Sequence, residues 1–271
     1  MAAIEDFVTG RSPLGQSQIH RLRELVADWQ LLSDLSFADL ILWVPLRKDF
    51  KSWPTGYVAV AHIRPTTAAT LFPNDVLGDE ISYGERPHID QALSDADIVR
   101  DTQPEQMGEF LVKEETIPVI VDSHVIGVIS RHRNAELMRQ PSRLELNYRE
   151  IAHNLYRMIA EGTFPYPNAG SLFDPAPRVG DGLIRLDVNG IVSYASPNAR
   201  SALSRLGWMS KTRAKEEEIK TCLPVVATAD IALAHLHPSK CLRRLYDKVS
   251  DKSVEHAKEA IKWCEGLTDD Q

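Results

Sequence analysis

Residues 180–199, GDGLIRLDVNGIVSYASPNA, constrain the fold of this chain more than any other stretch. Ile184, Leu186 and Val188 alternate with polar residues, as expected for a half-buried strand. The Asn189-Gly190 pair then supplies the positive φ angles that a tight hairpin needs, and a second strand follows. Ser196-Pro197 are residues preferred at the N-cap and first position of a helix. This stretch therefore predicts a hairpin followed at once by a helix.

The composition excludes several functions. The formal net charge of -7 gives no electrostatic basis for binding nucleic acid or an anionic membrane surface. The N-terminus MAAIEDFVTGRS lacks the basic and apolar regions of a signal peptide, and no window is apolar enough for a membrane span. The three cysteines form no CxxC pair, which suits a reducing compartment. We therefore expect a cytoplasmic protein with no nucleic-acid or membrane partner.

Residues 1–162 predict one α+β domain with a helix at each end. Apolar residues recur at helical spacing over 14–33 and again after a capping box that begins at Ser142. Between these helices the sequence predicts an antiparallel sheet with a short helix inserted. The predicted strands are Phe37–Val44, Tyr57–Ile63, Gly108–Val112, Ile117–Val121 and Val125–Ser130, and the predicted short helix is His88–Ile98.

The remainder of the chain is harder to interpret. Residues 163–181 are rich in proline and lack periodicity, so they predict a linker. Residues 182–207 contain the hairpin and helix start. No glycine occurs between Gly207 and Gly266, and no alternating run or hairpin turn is evident after residue 207. Residues 208–271 therefore predict an atypical, mostly helical tail.

Five motifs in this order resemble the sensor half of actinobacterial two-component sensor histidine kinases, which carry a GAF domain, a PAS domain and then a kinase core. The motifs cover roughly residues 15–207; each is weak alone, and the order makes them specific. They are WQLLSDLSFAD (29–39), HIRPTT (62–67), VIVDSHVIGVISRH (119–132), AEGTFP (160–165) and GDGLIRLDVNGIVSYASPNA (180–199).

The resemblance implies a GAF-like domain in residues 1–162 and an incomplete PAS-like start in 182–207. It also implies a response regulator as partner and a homodimer, since sensor kinases act as dimers. The chain departs from the family beyond this region. It contains no HxxKN sequence for the phosphoacceptor histidine, and its few late glycines cannot build an ATP site, where backbone must approach phosphate closely. We therefore expect no kinase activity from this chain, and no cofactor.

Four residues near the first predicted hairpin are candidates for a small-ligand site: Trp43, His62, Arg64 and Thr66. An arginine beside hydroxyl groups suits a phosphate or carboxylate. The alternative is that Trp43 packs in the core and Arg64 pairs with an acidic neighbour. The end helices of the domain offer a similar choice, because their apolar stripes suit either the covering of the sheet or a dimer contact.

No metal site is expected. His235, His237 and Cys241 do not have a standard zinc spacing. His124, His132 and His153 are separated as surface histidines commonly are.

Two functional hypotheses remain. The first is a non-enzymatic sensory module of two-component signalling that binds a ligand or partner in its first domain. The second is a truncated or frameshifted kinase gene product without independent function, in which residues 208–271 come from another frame or a fusion. The abrupt change of pattern near Trp208 favours the second, and the periodic helix predicted at 253–265 favours the first.

Overall fold

A computed structural model describes residues 4–100, 103–135, 140–164, 178–186, 192–205 and 233–235. The chain divides into two compact units, residues 1–177 and 178–271. The point of division falls inside the stretch 163–181 that the sequence predicts as a linker. Among the described residues, no helix is long and apolar enough to cross a membrane.

The first unit is built on an antiparallel sheet of seven strands. The order across the sheet is β3-β2-β1-β7-β6-β4, and β5 pairs with β6. The central strands are β1 and β7, which explains why β1 is buried along its entire length. The strands are β1 (Asp39–Leu46), β2 (Gly56–Ile63), β3 (Glu80–Ser82), β4 (Val99–Arg100), β5 (Glu105–Met107), β6 (Phe110–Val121) and β7 (His124–Asn134).

Helices cover both faces of this sheet. One face carries α2, α3 and α5, and residues on the opposite face pack against α4. The Tyr57 hydroxyl helps hold α4 in place, donating to Asp90 Oδ1 at 2.7 Å. The helices of the first unit are α1 (Ile4–Val8), α2 (Gln16–Ala27), α3 (Trp29–Ser36), α4 (Pro87–Asp95) and α5 (Arg143–Ala160). The antiparallel sheet with flanking helices confirms the predicted α+β, GAF-like fold class.

Hydrogen bonds fix α5 at two places. Ser142 is its N-cap, and the predicted capping box with Glu145 is present. Further along, the buried hydroxyls of Tyr156 and Ser36 lie 3.0 Å apart, which joins α5 to α3. The helix that connects the sensor fold to the following chain is therefore tied to the helix that precedes β1.

Several predicted boundaries differ from the structure. The helix expected over 14–33 is two helices, because α2 ends at a C-cap on Asp28 and α3 starts at Trp29. The two strands expected between 108 and 121 form one long strand, β6, preceded by β5. Leu144 continues the apolar spacing of α5 in the sequence, but it is 39% exposed. The break inside the first helix and the merging of the two strands depend on tertiary packing and strand pairing, which local sequence patterns do not reveal.

The second unit is described only in part. A turn of 3-10 helix (Val179–Asp181) precedes β8 (Leu183–Leu186) and β9 (Val192–Ala195), which pair antiparallel, and α6 (Pro197–Arg205) follows. The Ser196 hydroxyl accepts the N–H of Leu183 at 2.9 Å. The predicted Asn189-Gly190 turn lies outside the described residues.

A strand that the sequence did not predict, β10 (Leu233–His235), pairs antiparallel with β8. The remainder of 206–271, including His237, Cys241 and the helix expected at 253–265, is outside the described residues, so the mostly helical tail and the domain boundaries stay predictions.

Candidate functional site

Several polar side chains lie on the sheet face that α4 covers, where apolar side chains are more usual. In the register of β1, β7 and β6, Asp39 lies opposite His132, and His132 lies opposite Glu114. One step along, Ser130 on β7 and His62 on β2 both pair with Ile41. Directly opposed residues of antiparallel strands share a face, so these side chains are neighbours. We call Asp39, His62, Glu114, Ser130 and His132 the polar cluster.

His62 has the most unusual environment of the four predicted ligand residues. Its side chain is 0% exposed, and Nδ1 lies 3.1 Å from Asp75 Oδ1. Its other nitrogen, Nε2, is buried and has no hydrogen-bond partner. Burial lowers the pKa of His62, and the hydrogen bond that Nδ1 makes to Asp75 opposes this shift. A buried polar atom without a partner is uncommon, because it loses its hydration without compensation.

His132 is the second buried histidine of the cluster, with 1% exposure. Its Nε2 is 2.9 Å from Ser130 Oγ. Burial, followed by the positive charge of Arg86 and the nearby His62, lowers the pKa of His132 to about 3. The imidazole is therefore neutral at physiological pH. The expectation that this residue lies on the surface is wrong, whereas His124 and His153 are exposed.

Phe72 lies between the two histidines. Its ring meets His62 edge-on at a centroid distance of 5.4 Å and meets His132 edge-on at 5.0 Å. The loop that carries Phe72 joins β2 to β3, so a residue outside the strands closes the polar cluster. Sequence patterns could not predict this contact, because a lone phenylalanine in an irregular stretch has no periodic pattern around it.

Trp43 lies on the same face and belongs to the buried core there. Its indole N–H donates to Ser130 Oγ at 2.8 Å. Since that oxygen accepts from Trp43, its own hydrogen is left for His132 Nε2. Trp43 is thus both a core residue and the first member of a chain of hydrogen bonds that ends at His132.

Arg64 and Thr66 shape the loop after β2. The Arg64 guanidinium donates to the Phe72 carbonyl through Nε at 3.0 Å. The backbone N–H and hydroxyl of Thr66 both donate to Asp34 Oδ1, at 2.7 and 2.9 Å. Arg64 therefore holds Phe72, and Thr66 ties the same loop to α3. These contacts differ from the acidic partner considered for Arg64 in the sequence.

Two buried carboxylates anchor this loop to the sheet and to α3. Asp39 on β1 accepts from the Thr70 hydroxyl at 2.6 Å and from the Leu71 N–H at 2.9 Å. Asp34 on α3 is fully buried, and its second oxygen, Oδ2, has no hydrogen-bond partner. Within the described ranges, no group of three or more histidine, cysteine, aspartate or glutamate side chains is arranged to hold a metal ion.

The antiparallel sheet with helices on both faces is that of a GAF-like sensor domain. Residues 4–152 match the family described as "Histidine kinase PdtaS, GAF domain", and the chain belongs to that family.

Two relatives and one solved structure support this family assignment. The chain is 36% identical over 211 residues to the sensor histidine kinase PdtaS of Mycobacterium tuberculosis, which covers 76% of this chain and 41% of the relative. It is 36% identical over 214 residues to PdtaS of Mycolicibacterium smegmatis, covering 78% and 42%. A solved "Sensor region of a sensor histidine kinase" superposes with a TM-score of 0.63 at 36% identity, over 78% of this chain and 71% of that one. The chain thus spans less than half the length of the two PdtaS relatives.

Proposed function

We propose that the first unit binds a small polar molecule at the polar cluster and that α5 carries the response onward to the residues that follow it. The observation that carries this proposal is the completely buried, unpartnered Nε2 of His62 beside the neutral His132. A neutral imidazole nitrogen either donates or accepts one hydrogen bond, depending on the tautomer. A ligand that supplies the missing partner recovers the free energy lost when the atom was buried.

The predicted ligand residues have different parts in this proposal. Trp43 and His62 face the ligand, because both lie on the α4 side of the sheet. Arg64 and Thr66 hold the covering loop through Phe72 and Asp34. A ligand that displaces the Phe72 ring would therefore move the loop and its anchors together.

A route from this loop to α5 supports a signalling role. Asp34 connects the loop to α3, and two residues later Ser36 meets Tyr156 of α5. The Tyr156 hydroxyl also lies 3.3 Å from the Leu32 carbonyl. Since a ligand shifts a conformational equilibrium only through contacts that differ between states, this row of hydrogen bonds is the element to be biased.

The family context extends the proposal to partners. As the sensory part of a two-component system, the chain would act in the cytoplasm as a homodimer, with a response regulator receiving phosphate from the kinase. This chain would not transfer phosphate itself, because its sequence has no HxxKN motif and few glycines after residue 207. Incubation of the purified chain with labelled ATP tests that statement, and labelling of any histidine would contradict it.

Ligand binding is tested with matched histidine variants. A panel of amino acids, small carboxylic acids and nucleobases is screened for thermal stabilisation of the wild-type chain. Compounds that act at the polar cluster are expected to stabilise wild type but not His62→Phe. His20→Phe is the matched control and should be stabilised as wild type is, because the His20 side chain is 61% exposed and lies on α2. Equal stabilisation of His62→Phe by every active compound would refute this site, and a panel without any active compound would count against a polar ligand.

A further inference from the structure

A group of arginines lies on the sheet face opposite the polar cluster. Arg131 and Arg133 flank His132 on β7, so they project to the other side of the sheet. This side is the one that α5 covers, because the Arg131 guanidinium lies 5.4 Å from the centre of the Tyr156 ring. Arg149 joins them from α5. We call Arg131, Arg133 and Arg149 the arginine cluster.

Arg131 pairs with a carboxylate, although its Nε is buried without a hydrogen-bond partner. Its guanidinium pairs with Glu115 Oε2 at 2.6 Å, and its side chain is only 19% exposed. The other carboxylate oxygen of Glu115 pairs with Arg100 at 2.5 Å. Both oxygens of this buried carboxylate are therefore already occupied by cations, and Glu115 has little capacity left for a third.

Arg133 and Arg149 differ from Arg131 in their pairing. Neither takes part in any ion pair recorded within the described part of the chain, and the Nε atom of each is buried without a hydrogen-bond partner. Burial lowers the pKa of Arg133, and the charges of Arg131 and Arg149 lower it further. The Arg149 guanidinium also lies 5.9 Å from the centre of the Phe37 ring, which holds it near the other two.

Glu115 offsets part of this positive charge, but it is already paired with Arg131 and Arg100. Lys113 on β6 pairs with Arg133 in the strand register and adds another positive charge. Glu145, one turn before Arg149 on α5, accepts the N–H of Ser142 at the helix N-cap. Half-buried guanidinium groups that repel each other are costly unless an anion joins them. The arrangement therefore favours a multivalent anion over a single carboxylate.

We propose that the arginine cluster is a binding site for the phosphate groups of a small molecule, separate from the polar cluster. Guanidinium groups present paired N–H donors that match the oxygens of phosphate. Arg133 and Arg149 supply these donors, and Arg131 stays with Glu115 and sets the position of β7. The half-buried state of all three arginines favours a small phosphate compound over a flat membrane surface.

Pyrophosphate binding to the complete chain tests this site by isothermal titration calorimetry. Wild type is expected to bind pyrophosphate better than acetate at matched ionic strength. Arg133→Gln is expected to weaken pyrophosphate binding at least about tenfold, the effect of losing one charge-assisted contact. Arg143→Gln is the matched control, because Arg143 is an exposed arginine in the first turn of α5; it should bind as wild type does.

Other outcomes are equally decisive. Equal binding of pyrophosphate and acetate, or unchanged binding by Arg133→Gln, would overturn the proposal. If Arg133→Gln fails to fold, Arg149→Gln serves in its place, with the same expected loss. Sedimentation with vesicles of phosphatidylcholine and phosphatidylglycerol separates the two sources of phosphate. Vesicle binding that Arg133→Gln abolishes, without pyrophosphate binding, would refute a small-molecule site.

Discussion

Mild acid is expected to destabilise the first unit through His132. The folded protein holds this imidazole neutral, with a pKa of about 3 caused first by burial. In the unfolded chain a histidine has a pKa of about 6.5. Between these values the unfolded state binds a proton that the folded state does not. The contribution to stability is therefore complete above the unfolded pKa and is lost as the pH falls towards the folded pKa.

The size of the loss follows from the two pKa values. Between about pH 6.5 and about pH 5 the unfolded histidine is mostly protonated while the folded one is neutral. Each pH unit of this interval lowers the free energy of unfolding by about 1.4 kcal/mol, so the interval of about 1.5 units costs about 2 kcal/mol. A folded pKa one unit higher changes this little, since pH 5 still lies above it. His62, whose pKa burial also lowers, adds a loss of the same sign.

Urea denaturation at about pH 7.5 and about pH 5 measures this loss as a difference between variants. Fluorescence of the buried Trp29 and Trp43 reports unfolding of the first unit. His132→Gln removes the titration and keeps a polar group near Ser130, so its loss of stability between the two pH values should be about 2 kcal/mol smaller than that of wild type. His20→Gln, at an exposed position, should lose as much as wild type. Equal losses for wild type and His132→Gln would refute a buried neutral His132.

Three further substitutions test the packing around the site. Tyr156→Phe removes the hydroxyl that meets Ser36 at 3.0 Å and should lower the free energy of unfolding by about 1 kcal/mol in urea denaturation; an unchanged value would show that this contact contributes nothing. Ser142→Ala removes the N-cap of α5 and should cost about 1 kcal/mol by the same measurement, with faster amide exchange in the first turn; wild-type exchange there would contradict the cap. In Gly56→Ala the added carbon would lie 2.3 Å from the Ile81 carbonyl oxygen, so hydrogen exchange should show loss of β2–β3 pairing, and retained protection would contradict the close approach.

Much of the fold could be predicted from the sequence because it depends on local patterns. The apolar run of β2 and the capping box of α5 are each contained within a few positions, and both occur as predicted. The break between α2 and α3 at Asp28 has no comparable signal. An apolar stripe continues through it, so the sequence alone favours one longer helix.

The candidate site could be predicted only in part, for a physical reason. Trp43 and His62 stand out as residue types within strands, but their surroundings come from elsewhere in the chain. Phe72 lies in an irregular loop, and Ser130 lies on β7, which pairs with β1 although the two strands are far apart in sequence. His132 was interpreted as a surface residue because nothing in its neighbouring sequence reveals that both faces of β7 are covered.

The two candidate sites share one strand, and this arrangement restricts how each can respond. His132 projects towards α4, while Arg131 and Arg133 project towards α5 from the adjacent positions of β7. A shift of the β7 backbone would move the residues on both of its faces together. A ligand at the proposed polar site that shifts this backbone would therefore change the spacing of the arginines beneath α5. The alternation of a single central strand would in that case connect the proposed ligand site to α5.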